Sequence, residues 1–217
     1  MRKWLTLLLA AFMTLVPALA LAEAPAGVTY ATYTNESNGY AIDYPENWTL
    51  ISKETLQSVM GSLAGGETSI DGLDSSKLEA YKSQIENMDM VMFVSPDGAV
   101  NANVTYQAVP AKLTSDQILS QVCPLVKRQF EGAFQDYKEL ADPATVTVGD
   151  REFVETAGQY TLSGQSFIML QAYHCTDSAL YTVTYTINSS MNPDTAAIDA
   201  ITTQMLASFA PPDSRIQ

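Results

Sequence analysis

Apolar side chains first recur with a period of two in Tyr40-Ala41-Ile42-Asp43-Tyr44, placing Tyr40, Ile42 and Tyr44 on one strand face. Asn38-Gly39 marks the turn before this strand, and Tyr alternating with Thr and Ala over 29–34 supplies a leader or first strand. Pro45 ends the second strand because it has no N–H to give a ladder; Trp48 to Ile51 then begins another extended piece. The compact apolar run Met90 to Val94 closes on Ser95-Pro96-Asp97-Gly98, a strong turn signal, and the alternation over 103–109 completes a hairpin. Four more strands follow as a meander: Ala144 to Val148, Phe153 to Leu162, Phe167 to His174 and Leu180 to Ile187. Gly149-Asp150, Ser163-Gly164 and Thr176-Asp177-Ser178 turn the chain between them.

Between these strands the apolar period lengthens to that of a helix. Ser52 caps a helix over 53–63 with Leu56, Val59, Met60 and Leu63 on one stripe, and Gly65-Gly66 stops it. A second helix over 76–88 carries Leu78, Tyr81, Ile85 and Met88. Thr114-Ser115-Asp116-Gln117 has capping-box form and opens the longest helix, to about Phe134, with Pro124 predicting a kink or a break inside it. Asn192 caps a terminal helix with Pro193 in its first turn, Ile198, Ile201, Met205 and Phe209 form its buried stripe, and Pro211-Pro212 ends it. Short local connections favour antiparallel pairing, and the amphipathic helices need a sheet to lie against. The order predicts an α+β layered domain over 39–210, preceded by the leader or first strand at 23–38 and followed by a tail, 211–217.

The segment Gly39-Tyr40-Ala41-Ile42-Asp43-Tyr44-Pro45-Glu46-Asn47-Trp48 resembles the opening strand, Tyr-Pro turn and following Trp of the Mog1/PsbP-like family, including its bacterial exported members. The closing meander and the helix ending Ala207-Ser208-Phe209 are similar too, and in element order the resemblance covers residues 27–210. It implies an α/β/α sandwich around a central, mostly antiparallel sheet, and a binding or accessory role instead of catalysis. Some relatives assist photosystem II and others bind a small GTPase, but no residue here matches either interface. From packing alone, Tyr44 and Trp48 read as core side chains.

The first 22 residues have the pattern of a cleavable signal peptide. Arg2 and Lys3 form a positive start, Leu5 to Val16 an apolar core, and Ala20-Leu21-Ala22 a small-residue cleavage site before Glu23, with Ala20 a near alternative. No later run approaches the roughly 20 apolar residues that a membrane-spanning helix needs, so the mature chain is expected outside the cytoplasm and without stable membrane insertion. Arg2 and Lys3 belong to the 11 basic residues, so nine basic and 24 acidic side chains follow the leader, a net charge of −15. Nucleic acid is thereby excluded as a partner, because its attraction depends on Lys/Arg clusters and the densest basic spot is Lys127-Arg128.

Candidate chemistry is sparse. Cys123 and Cys175 in an exported chain suggest a disulfide, which would stabilise by about 4 kcal/mol in the chain-entropy model. The single histidine, His174, is the one residue a Ser-His-Asp or Cys-His site could use, and a structural place on its strand is the better fit. Glu67, Asp71 and Asp74 crowd a Gly-rich loop and are weak candidates for a Ca²⁺ site, although the twelve-residue pattern of such loops is missing. Phosphate-cradling loops, zinc spacings and a nucleophile elbow are not found, so neither a cofactor nor a catalytic residue is assigned. Asn35, Asn47, Asn103 and Asn188 stand in Asn-x-Ser/Thr sites, of which Asn47, between Pro45 and Trp48, reads as the crowded one. The leading expectation is an exported, non-enzymatic domain that binds a protein or cell-envelope component. A hydrolase using carboxylates or His174, and a cation or small-ligand binder using the acidic loop, are the alternatives.

Overall fold

The computed structural model describes residues 27–55, 89–134 and 136–211. Two sheets are present among them. A hairpin pairs β1 (Tyr30–Asn35) with β2 (Tyr40–Pro45), antiparallel. A seven-stranded sheet contains β3 (Thr49–Ile51), β4 (Asp89–Val94), β5 (Val100–Ala108), β6 (Lys138–Val148), β7 (Arg151–Leu162), β8 (Gln165–Cys175) and β9 (Ala179–Asn188). Its order is β3-β4-β5-β9-β8-β7-β6 and every pairing is antiparallel. The chain leaves β5, crosses by a helix to the far edge, and meanders back until β9 closes against β5. The α+β layered architecture expected from the sequence is what is found.

The helical crossover follows its sequence signals closely. Thr114 Oγ1 accepts from the Gln117 N–H at 3.2 Å while Gln117 Oε1 accepts from the Thr114 N–H at 2.9 Å, a complete capping box. A single turn, α1 (Ser115–Gln117), passes into a π-helical segment over Ile118–Val122 and then into α2 (Cys123–Ala133). The break falls where Pro124 requires it. Proline cannot donate to an i−4 carbonyl, and the Cys123 N–H reaches back five residues to Ile118 O just before it. The last helix, α3 (Thr195–Ser208), begins two residues later than the sequence suggests. Asn192 is left-handed, at φ 49°, after a short 3₁₀ turn, Ser189–Met191; Asp194 supplies the cap instead, its Oδ1 accepting from the Ala196 and Ala197 N–H groups, each at 3.1 Å.

Strand alternation divides the sheet between two cores. Phe153, Leu170, Ala172, Tyr181, Val183 and Tyr185 face the β1–β2 hairpin and α3, packing with Tyr40, Ile42, Met205 and Phe209. Val154, Tyr160, Met169, Tyr173 and Leu180 point the other way, against Ile118, Cys123, Val126 and Phe130. Helices thus cover both faces, the sandwich implied by the resemblance. Gly158 is required on the second face: a Cβ there would stand 2.5 Å from Cε2 of the Tyr137 ring. Also on that second face lies a buried polar network, in which Tyr173 donates to Gln171 Oε1 at 2.8 Å and Gln171 Nε2 donates to Thr184 Oγ1 at 3.2 Å.

Two further details depart from the sequence reading. β6 starts six residues earlier than its alternation indicates, because the pairing with β7 shifts register between Glu139 and Ala141 and again between Ala141 and Ala144. Those bulges around Asp142-Pro143 break the period of two, and they interrupt an edge strand where a proline is tolerated. Cys123 and Cys175 do not form the expected disulfide; both are free and buried. Their sulfurs stand on separate elements, and Cys175 Sγ is committed locally, accepting from the Leu113 N–H at 3.2 Å and donating to the Thr176 carbonyl at 3.4 Å. Burial pushes the Cys123 thiol up to about 11 and raises Cys175 as well, so both behave as small apolar core groups.

Candidate functional site

The β4–β5 turn and the start of α3 approach one another across Trp48 and leave an open cleft of about 300 Å³. Each wall is set by local chemistry. The turn carrying Trp48 is closed by its own N–H, which donates to the Pro45 carbonyl at 2.9 Å. In the opposite wall, Asp97 Oδ1 accepts from the Ser95 hydroxyl at 2.6 Å and from the Ala99 N–H at 3.0 Å, with Gly98 at φ +71° allowing the reversal. The third wall is Pro193, Asp194, Ala197, Ile198 and Ile201, from the cap and first turns of α3. Trp48 is buried, 7% exposed, and belongs to the core as the sequence suggests, yet it also lines this cleft.

The cleft is apolar inside and acidic at its rim. Trp48, Pro96, Val100, Pro193 and Ile201 offer hydrocarbon and ring surface, whereas Asp97 and Asp194 bring carboxylates. The Ser95 hydroxyl, followed by the Ala99 N–H, holds the Asp97 carboxyl below its usual range, so it stays charged at neutral pH. Each aspartate spends Oδ1 on the backbone and keeps a second oxygen for other contacts. Such a site suits an apolar side chain flanked by positive charge.

Two enclosed carboxyl oxygens lie on this side of the sheet. Glu155 of β7 is on the face that carries Phe153, Asp199 is on α3, and the Tyr185 hydroxyl donates to the Thr202 carbonyl at 3.0 Å. Glu155 Oε1 and Asp199 Oδ1 are both enclosed and have no hydrogen-bond partner. Burial, and after it the Asp199 charge, push the Glu155 carboxyl up to about 7; burial raises Asp199 too.

Among the described residues, those singled out from the sequence are not gathered into one site by the fold. His174 Nδ1 lies 3.0 Å from the Glu152 carbonyl, and its ring packs on Phe153 and Phe209 at 5.4 and 6.3 Å, which is a structural setting. Glu67, Asp71 and Asp74 lie outside the described residues, as do the leader 1–22, most of the helix expected over 53–63, and all of that over 76–88. Among the described residues, no group of three or more His, Cys, Asp or Glu side chains is arranged to hold a metal. Asn35, Asn103 and Asn188 are buried, and Asn47, the one expected to be crowded, is exposed. Neither Asp97 and Asp194 nor Glu155 and Asp199 were found by motif. A carboxylate on the same strand face as Phe153 and Ala157, and another within an otherwise uncharged α3, were the available signals.

No family model and no curated protein matches the chain. Among solved structures it is similar to a protein from Bacteroides thetaiotaomicron VPI-5482, with 10% identity and a TM-score of 0.47 over 83% of this chain and 47% of that one. The chain therefore spans about half the length of the Bacteroides protein. It is also similar to the cyanobacterial PsbP of Synechocystis sp. PCC 6803, with 11% identity and a TM-score of 0.47 over 89% of this chain and 98% of that one. The Ran-binding protein Mog1p of Saccharomyces cerevisiae shows 8% identity and a TM-score of 0.46, over 86% of this chain and 97% of that one. These likenesses assign no residue of this chain a role. No helix among the described residues is long and apolar enough to cross a membrane.

Proposed function

We propose that this chain is an exported, non-enzymatic binding domain, and that its cleft seats an apolar side chain from a basic segment of a protein or cell-envelope component. The observation that carries the reading is the cleft itself, an apolar pocket floored by Trp48 with Asp97 and Asp194 at its rim. The strong acidity of the whole chain, net −13 at pH 7, adds long-range attraction for a basic partner. The His174 ring packs against Phe153 and Phe209, which favours a structural place for it over a hydrolytic one.

Trp48 reports directly on occupancy. In a chain starting at Glu23 it is the one tryptophan, and a short peptide of alternating leucine and lysine is expected to shift its emission saturably. Asp97→Asn with Asp194→Asn preserves the Oδ1 acceptors of the turn and the cap while removing both charges. That double variant should weaken the peptide by about five- to tenfold at low salt, from the energy of two exposed charge pairs. An emission that ignores the peptide, or an affinity indifferent to both the charges and the salt, would remove the cleft from consideration. Export rests on the pattern of residues 1–22. Mass analysis of the secreted chain should find Glu23 at its start, and a secreted chain that retains Met1 would count against cleavage.

A further inference from the structure

The seven-stranded sheet ends on β3 at one side and on β6 at the other, and the two edges are unlike. β3 is only 3 residues long, whereas β6 runs for 11, and among the described residues no strand lies beyond it. A sheet edge presents unpaired N–H and C=O groups, and folds guard such edges by shortness, charge, proline or bulges. The first half of β6 is guarded in this way, with Glu139, Asp142 and Pro143 at its two register shifts. The second half is not. Residues 144–148 pair with β7 in unbroken register, carry no charge, and are β-branched after Ala144. The two-residue turn Gly149-Asp150 makes Val148 and Arg151 a hydrogen-bonded pair. By alternation Val146 also bonds to β7, and the backbone groups of Thr145 and Thr147 point outward. Both threonines are exposed, and Val146 between them packs against the first core.

We propose that residues 144–148 are a docking edge for an extended, basic segment of a partner protein, which adds to the sheet as an antiparallel strand beside β6. This surface is separate from the cleft and does not rest on it. A strand added there exchanges hydrogen bonds with Thr145 and Thr147 and places an apolar residue beside Val146, extending the first core. Charge decides the occupant. A second copy pairing edge to edge must set Thr145 against Thr147, since other registers bring an outward threonine against Pro143 or Gly149. That register opposes Asp142 of each copy to Asp150 of the other. Asp142 is exposed, and the Asp150 side chain is 81% exposed despite its contact with Arg151 at 3.1 Å. Like charges at both ends, added to a net charge of −13 on each chain, oppose self-pairing. A foreign strand with Lys or Arg at those two places turns both repulsions into attractions.

The peptide Lys-Thr-Val-Thr-Val-Thr-Val-Thr-Lys sets valine opposite Val146 and lysine opposite Asp142 and Asp150, and tests this on the chain starting at Glu23. Amide exchange followed by NMR should find Thr145 and Thr147 fast in the free chain and slowed on the order of tenfold or more at saturating peptide, with Val146 already protected by β7. N-methylation of the two threonines flanking the peptide's central valine should abolish binding, whereas N-methylation of that valine should leave it intact, because its N–H faces away. Thr147→Pro removes one outward donor without touching a bond to β7 and should weaken the peptide about tenfold; Thr145→Pro is the second variant should the first fail to fold. Replacing the peptide's lysines by glutamates should weaken it about fivefold at low salt. Threonine amides that stay fast at saturating peptide, equal binding by the two N-methylated forms, or indifference to the glutamates would each overturn the proposal. Protection that grows with chain concentration in the absence of peptide would overturn it in favour of a second copy. The Asp97→Asn and Asp194→Asn double variant should bind this peptide unchanged, which keeps failure here distinct from failure of the cleft; weaker binding by that variant would place the peptide in the cleft and reject the edge.

Discussion

Phe209→Ala is expected to lower the unfolding free energy by about 3–5 kcal/mol, the range for removing a large ring from a closed core. Phe209 is fully buried, and its ring meets those of Tyr40, Tyr181, Phe153 and His174 at 6.0, 5.4, 6.4 and 6.3 Å. One side chain from the end of α3 therefore ties together β2, β7, β8 and β9. The backbone next to it reinforces the junction, since Ala210 and Ala41 exchange N–H···O bonds at 2.8 and 2.9 Å. Loss of the ring leaves a cavity among side chains on four strands that cannot all collapse toward it. Urea unfolding at pH 7 gives the answer: a lower midpoint with an unchanged slope is expected, and a loss below about 1 kcal/mol would deny Phe209 this place.

Glu155→Gln has the second large effect, and its sign depends on pH. The folded carboxyl is raised from an ordinary 4.5 to about 7. Its stabilising contribution is accordingly complete below about pH 4.5, declines as the pH rises, and is lost once the pH passes about 7. Glutamine keeps the shape and stays neutral throughout. At pH 8 the variant should exceed the wild type by about 1–3 kcal/mol, with the upper end set by the full linkage and the lower by partial exposure. Near pH 4.5 the two should converge. Asp97 and Asp136, whose carboxyls are held low by hydrogen bonds from Ser95 and Thr161, lose stability in the opposite direction as pH falls. They are common to both proteins and cancel in the difference. A variant no more stable than the wild type at pH 8 would show that Glu155 is not held neutral by the fold.

Much of the fold was legible from local pattern because its causes are local. The Thr114–Gln117 capping box forms as written, and the Pro124 break is resolved by the π-helical segment before it. Of the stripe Ile198, Ile201, Met205 and Phe209, Ile201 is half-buried in the cleft wall and the others are buried as the helical period indicates. Misreadings arose where distant partners intervened. The first half of β6 pairs through two register shifts, which erase its alternation; Asn192 yields the cap to Asp194 once the left-handed turn is in place. Cys123 and Cys175 share one side of the sheet yet stay unbridged, which no spacing along the chain reveals.

The candidate sites were less legible still. Asp97 read only as a turn residue, Asp194 as one acid among 24, and Trp48 as core; their meeting depends on the β4–β5 hairpin approaching the start of α3. The same holds for Gly158, whose need for a missing Cβ comes from Tyr137, a residue 21 positions earlier. By itself, the sequence determined the elements, the antiparallel preference, the acidity and the apolar stripes, because period, caps and turn residues act over a few positions. Tertiary structure alone decided that β9 closes on β5, that Phe209 at the end of α3 reaches Phe153 of β7, and that Glu155 Oε1 is enclosed. Those outcomes come from packing between residues far apart in the chain, where burial and opposed charge act through distance in space, and no local pattern records that distance.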